Sequence, residues 1–462
     1  MKKFFANPAY RTIFLIWLAW ALIMLAFQTI VPMRLSLQRP DFARPWTAGE
    51  TSAGSQLGKT YLNEPFLNRH VSWDSEYYLA IAVEGYEAAD INRLNVSFGN
   101  VEGGAGFWPF VIPPNVGYGG LSLSYAFFPL YPLVMRAVAV PLSVLGLTPI
   151  ATATLAGVLV SMLGTLAAMF ALYEFGREEP LGGETPPLRK PNPGGETAPS
   201  ESDSRSQNGL RAAFYLIIFP SAFFLAQVYT EGLFIGLAFS SLLLMRRGQR
   251  GWAALLAVLA TFTRAAGVAL AIPLLIDWIK TGEWRELDLE WRQIYFKGVD
   301  WKVVGRALIV LSPIIAFQLW RMSYYGLAFS KVEDEFFGRG ILNLGSGFID
   351  WLAGLRDIFS GHPHASAYYL IEWGAVILGF VACILGFKRH PDLALFGFLV
   401  VFLSFTSGPA QGMHRYILAA PPVFLFLSRL GRNKPFDYSW TVLSVLLMGM
   451  MATLFSFDFW TG

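Results

Sequence analysis

Four groups of residues in this chain have the types and spacing that chemistry needs. The first is Trp73-Asp74-Ser75-Glu76, just beyond the first long apolar run. A carboxylate beside aromatic rings at a membrane edge can serve as a general base, a role worth about 10²–10⁴ in rate. Aspartate at a helix start also accepts hydrogen bonds from free amides, so Asp74 reads equally as an N-cap. Glu76 points away from Asp74 by roughly 200° on a helix, which argues against a carboxylate dyad.

The second group, Thr263-Arg264-Ala265-Ala266-Gly267, interrupts an apolar run. A charge there costs about 2.5–3.5 kcal/mol on the insertion scale, so it needs a polar cavity. The planar fork of Arg264 suits an oxyanion such as phosphate, and an internal ion pair with Glu231 is the competing reading. Glu231 follows Tyr229 and Thr230 at a helix start, where a carboxylate complements the helix dipole or lines a pocket. The fourth group, His414-Arg415-Tyr416, opens a later apolar run on the outer face, against the positive-inside tendency. An anionic ligand explains it, and so does snorkelling of Arg415. His362-Pro363-His364 is too rigid and isolated for a metal centre. The single cysteine, Cys383, excludes an intramolecular disulfide. No metal or organic cofactor is expected.

These groups need a membrane scaffold. The 462 residues are 54% hydrophobic and 15% charged, with a mean hydropathy of +0.46, more apolar surface than a soluble core uses. About ten segments approach the roughly 20 residues that cross a bilayer, so an all-α polytopic membrane protein is expected. The net charge of +3 is spread over loops and suggests no nucleic-acid partner.

Lys2, Lys3 and Arg11 place the N-terminus in the cytoplasm, with a retained first span over about 12–32. Residues 37–124 then form a first external loop, irregular around Gly103 to Pro109, with a short amphipathic helix over Ser75–Gly85 that shows Tyr77, Tyr78, Ile81 and Ala82 on one face. Residues 127–147 carry Pro129, Pro132, Pro141 and Arg136 and read as a surface or re-entrant helix. The segment 177–211 reads as a disordered cytoplasmic linker. The run Trp252–Ile279 splits at Arg264 into half-helices. Further spans are expected near 303–324, 368–387, 394–405, 415–427 and 440–455, with 325–367 as a second external loop.

Taken in order, these motifs resemble the PIG-V-like mannosyltransferases, integral membrane enzymes of the GT-C glycosyltransferase class. The likeness runs through Trp73-Asp74-x-Glu76, Ile81-Ala82, Gly85-Tyr86 and Phe127-Phe128-Pro129-Leu130-Tyr131-Pro132-Leu133. It continues through Pro220-Ser221-x-Phe223-Phe224, Tyr229-Thr230-Glu231-Gly232-Leu233-Phe234, Thr263-Arg264-x-x-Gly267 and Arg415-Tyr416. It implies a GT-C-like helical bundle and transfer of a sugar, mannose first, from a polyprenyl-phosphate donor to a glycolipid or other glycan acceptor. It further implies that Asp74 is the base and that Trp73, Glu76, Tyr78, Tyr229, Glu231, Arg264, His414 and Arg415 line the substrate. The lipid-linked sugar is then a substrate, the active site faces the outer side of the membrane, and an accessory membrane subunit is a further partner. The lean loops and the lack of a recognisable targeting feature look prokaryotic, so a bacterial cytoplasmic membrane is expected. A transporter or lipid flippase would share the broken helices and buried charge. The absence of paired repeats and the large first loop weigh against it, and the retained Asp74 weighs against a non-catalytic subunit.

Overall fold

Most of the long apolar runs fold as helices in the computed structural model of the chain, which describes residues 7–36, 40–51, 56–95, 120–178, 201–282, 301–340 and 342–462. Helix α1 (Pro8–Arg34) starts where Asn7 Oδ1 accepts from the Ala9 amide, with Pro8 in its first turn. It leads into 3-10 turns at Thr60–Leu62 and Asn68–His70 and then α2 (Ser75–Val83). Two-residue strands β1 (Arg93–Leu94) and β2 (Leu121–Ser122) pair antiparallel, Arg93 opposite Ser122. Next come α3 (Leu130–Leu142), α4 (Pro149–Arg177), α5 (Glu201–Ile218) and α6 (Glu231–Arg246). Then follow α7 (Arg250–Thr263), α8 (Ala271–Lys280), α9 (Trp301–Met322), α10 (Tyr324–Glu335) and α11 (Leu344–Asp357). The bundle ends with α12 (Pro363–Gly386), α13 (Pro391–Phe405), α14 (Pro421–Leu430) and α15 (Lys434–Ser456). The chain is an all-α polytopic membrane protein. Among the described residues five helices, α1, α4, α9, α12 and α15, are long and apolar enough to cross a membrane.

Three expectations change. The span expected at 415–427 is instead a turn of helix at Met413–Tyr416, a 3-10 turn and α14, because Pro421 and Pro422 force Ala420 into extended backbone. The linker expected at 177–211 is helical from Glu201 onward, and only 179–200 lie outside the described residues, as do Gly103 to Pro109 of the first loop. Helix α2 is buried on most sides rather than on one face: Ser75, Leu79 and Ala80 are as enclosed as Tyr78, Ile81 and Ala82. The reason is that α3, α4 and the 3-10 turn Leu123–Ala126 wall it in. Arg136 of α3 secures it by donating from Nε to the Ala82 carbonyl and from Nη2 to the Ile81 carbonyl, both at 2.8 Å, which satisfies carbonyls at the helix end.

Helices α4 and α6 meet backbone to backbone. A Cβ on Gly232 would stand 2.1 Å from the Ser161 carbonyl oxygen, and one on Gly164 would stand 2.3 Å from that of Gly232. Small residues are what allow such an approach in lipid, and this contact holds the first turn of α6, where Glu231 lies, against α4. The apolar run after Arg250 breaks as expected: α7 stops at Thr263, Arg264 is extended at φ −154° and ψ 142°, and a 3-10 turn leads to α8. Gly267 closes the break, since a Cβ there would stand 2.4 Å from the Thr261 nitrogen.

Candidate active site

Trp73 has φ +51°, a left-handed conformation that costs a non-glycine residue roughly 1–2 kcal/mol. Its ring is held edge-on by Trp46 at 5.6 Å and Trp460 at 5.0 Å. The kink turns Asp74 out of capping geometry: the backbone is already helical and the carboxylate makes no cap hydrogen bond. Its Oδ2 accepts from Arg415 Nη1 at 3.1 Å instead. The N-cap reading of Asp74 therefore gives way to an ion pair between residues 341 positions apart.

Arg415 is the hub. Its side chain is 7% exposed, its Nε lies 3.2 Å from Glu231 Oε1, and its guanidinium stands over the rings of Phe224, Tyr229 and Tyr416 at 5.2–5.4 Å. Glu231 Oε1 also pairs closely with Arg264 Nη1, which donates to Thr230 Oγ1 at 3.3 Å. The ion pair weighed against phosphate binding is thus present, but these bonds run through one terminal nitrogen of Arg264 and leave most of its fork uncommitted. Glu231 Oε2 and Arg415 Nε have no hydrogen-bond partner although both side chains are buried. Such atoms are costly unless a ligand engages them.

The structure brings together Asp74, Tyr78, Tyr229, Glu231, Arg264 and Arg415. Tyr78 packs edge-on against Tyr229 and Tyr131, and Tyr229 donates to the Ser72 carbonyl at 3.1 Å while its ring faces Arg415. Two other candidates are turned elsewhere. Glu76 has Lys59 and Glu50 as its charged neighbours, and burial pushes its carboxyl up. His414 faces Glu372 through Nδ1 at 3.0 Å and the Thr461 carbonyl through Nε2. With the Gly412 and Met413 amides donating to Glu372 at 2.7 Å each, His414 anchors the turn that presents Arg415.

Sequence reasoning misses three residues here. Arg339 donates to the Tyr416 hydroxyl at 2.9 Å, so three guanidiniums, those of Arg264, Arg339 and Arg415, surround one phenol. Its signal is a cation between Gly338 and Gly340, in a segment tied to the next loop by the Gly340 amide donating to Ser407 at 2.7 Å. Glu333 completes an alternation of acids and bases, and burial pushes its carboxyl up to about 7 against the pull of Arg339. Glu372 is a fully buried acid in an otherwise apolar helix, a signal of the same kind as Arg264. Beside this centre, residues of α11, α12 and α13 line an open-sided apolar cavity of about 500 Å³, bordered by Leu344 and five phenylalanines and ending at Thr406, next to the Ser407 that holds the Arg339 segment.

No family model matches this chain, and no curated protein does. Among solved structures it is similar to ArnT from Cupriavidus metallidurans bound to undecaprenyl phosphate, at 14% identity over 94% of this chain and 63% of that one, with a TM-score of 0.42. It is also similar to the oligosaccharyltransferase of Archaeoglobus fulgidus in complex with Zn and sulfate, at 13% identity over 97% of this chain and 53% of that one, with a TM-score of 0.41. The chain therefore spans 63% and 53% of the lengths of these proteins.

Proposed function

We propose that this chain is an inverting glycosyltransferase of the GT-C class. It moves a sugar, mannose first, from a polyprenyl-phosphate donor to an acceptor hydroxyl on the outer side of the membrane. The observation that carries the reading is the single buried guanidinium of Arg415 joining Asp74 to Glu231, with Arg264 and Arg339 gathered on the adjoining Tyr416 ring. The motif likeness to PIG-V-like mannosyltransferases supports the choice of sugar, and the phenylalanine-lined cavity suits an isoprenoid chain whose phosphate lies toward the arginines.

The chemistry follows from the charges. Donor phosphate competes with Asp74 for Arg415, which frees the carboxylate to act as base while the cations hold the phosphate. Asp74 takes the acceptor proton, and the acceptor oxygen bonds to the anomeric carbon. The bond from that carbon to the phosphate oxygen breaks with its electron pair leaving on oxygen. Polyprenyl phosphate departs with one more negative charge, and the configuration inverts. Guanidiniums aimed at that growing charge stabilise the transition state more than the ground state.

The test is transfer of label from radiolabelled polyprenyl-phosphate mannose into lipid and protein acceptors, in membranes carrying wild type or Asp74→Asn. Label transferred by wild type alone supports the assignment. Equal transfer by Asp74→Asn removes the base. No transfer by wild type from mannose, glucose or galactosamine donors removes the function.

A further inference from the structure

A second cavity, of about 610 Å³, lies between the end of α1 and the turns at Thr60–Leu62 and Asn68–His70. That is within the roughly 300–1,000 Å³ of small-molecule sites. Its wall includes Gln28, Gln56, Asn63, Arg69, His70 and Asp458. Three of these present acceptor atoms with capacity to spare. His70 is 1% exposed, and its Nδ1 lies 2.9 Å from the Ala226 carbonyl. A carbonyl only accepts, so Nδ1 carries the proton and Nε2 is a bare lone pair with no hydrogen-bond partner. Burial holds the ring neutral by lowering its pKa to about 4. Gln56 Oε1 is likewise without a hydrogen-bond partner. The Asp458 carboxylate accepts from Ser72 Oγ at 2.8 Å through Oδ1 and also from the Gln56 side chain, which leaves part of its four-lone-pair capacity to spare, in a residue held at φ +61°.

Buried acceptors without donors cost free energy, which a donor-bearing ligand recovers. A simple anion is disfavoured by the Asp458 carboxylate. A simple cation is disfavoured by Arg69, whose guanidinium is fixed in the wall by a 2.9 Å bond to the Ser456 carbonyl and by the Phe457 ring. A neutral polyol meets both constraints, because each hydroxyl donates to one wall atom and accepts from another. Pro32 and Met33 of α1 border the opening, and Met33 is 75% exposed on the apolar outside of a candidate span. A lipid-borne headgroup can therefore enter from the side.

We infer that this cavity binds a neutral polyhydroxyl group, the sugar or polyol portion of the acceptor. The inference rests on the transferase reading for its purpose, although binding itself does not. The cavity and the base share one short piece of chain: His70 and Asp74 are separated by at most about 14 Å of extended backbone. Ser72, midway between them, donates to Asp458 and receives the Tyr229 hydroxyl.

The experiment is saturable binding to the full detergent-solubilised chain, read by saturation-transfer NMR. The probes are methyl α-mannoside as a free saccharide, monoglucosyl diacylglycerol as a lipid-borne one, and neutral diacylglycerol without sugar as the control. Wild type is expected to bind at least one sugar probe. Asp458→Asn and the rim variant Gln56→Leu should each weaken that binding by about tenfold, a loss of about 1.4 kcal/mol. Asp74→Asn should bind as wild type does while transferring nothing. Binding of the saccharide identifies a free acceptor, and binding of the glycolipid alone identifies a membrane-borne one. No saturable sugar binding, equal binding of the control lipid, or binding unchanged in both cavity variants overturns the inference. Sugar binding that the variants weaken, in a wild type without transferase activity, keeps the cavity and removes the function.

Discussion

Helix α6 carries a charged cluster at each end, and the two are built differently. At its last residue Arg246 donates from Nε and Nη2 to the two oxygens of Asp392, each at 2.7 Å, and from Nη1 to Glu178 at 3.0 Å. Nη2 also meets His390, and the guanidinium lies over Phe175. That is a bidentate, filled arrangement of the kind that holds helices together. At its first residue, 15 positions and roughly 22 Å away, Glu231 shares one oxygen between Arg264 and Arg415 and leaves the other unbonded. Arg415 is more buried than Arg246, at 7% against 17% exposure, yet it is less well satisfied. Burial with incomplete pairing is what a site awaiting an anion needs, whereas burial with complete pairing is sufficient for structure alone.

The strongest way to break this contrast is to make the same conservative change at both ends. Arg415→Lys keeps the charge but removes the fork, and is expected to lower kcat by about 10²–10³ with little change in thermal stability, because the lost interactions are worth most in the transition state. Arg246→Lys should leave the activity per folded molecule intact and lower stability by roughly 1–2 kcal/mol, less than a fully buried pair because both partners keep some solvent contact. Transfer assays beside melting curves separate the two. If Arg415→Lys melts early and the surviving protein turns over normally, both ends are structural.

The packing beneath the site offers a second, smaller test. Gly232→Ala would put a methyl group against the Ser161 backbone and push α6 off α4. Overpacking of that kind costs about 1–3 kcal/mol. Because Glu231 precedes the contact, KM for the donor should rise as well. The equivalent change at Gly251, which has open space around its Cβ position, should do neither. A Gly232→Ala protein with normal melting and KM would show that the close approach is not what sets Glu231.

The legible part of this site is what disobeys its surroundings. Arg264 is visible because a lone cation in an apolar run has few bland explanations, and the helix break follows from it. Glu372 carries the same signal and is equally readable in principle. Asp74 is ambiguous in sequence because capping and base chemistry ask for the same residue type. Only the strained Trp73 and the distant Arg415 separate them, and neither a φ angle nor a contact across 341 positions leaves a local trace. Glu333 sits in the charged last turns of α10 and Arg339 just beyond it, where charges are ordinary, so the flanking Gly338 and Gly340 are a weak signal for Arg339 and Glu333 has none. The 415–427 span misleads because its apolar content is right while the proline pair that divides it matters more than hydropathy.

Glu333 supplies the subtlest test, because it asks whether the site end also stores a proton. Burial raises its carboxyl from 4.5 to about 7, with Asp74 adding to the rise and Arg339 opposing it. The folded chain then holds a proton through a window, about 4.5 to 7, in which the unfolded chain has released it. Since stability changes with pH as the difference in bound protons, this group's contribution is fully present below about 4.5, falls as pH rises toward 7 and is flat above. Glu333→Gln removes the titration, so its melting temperature should lose part of the wild type's decline across that window and exceed wild type at pH 8 by about 2–4 °C. Parallel pH profiles for wild type and Glu333→Gln would mean that Glu333 is already ionised beside Arg339, and the alternation of charge at the site end would then be complete without a stored proton.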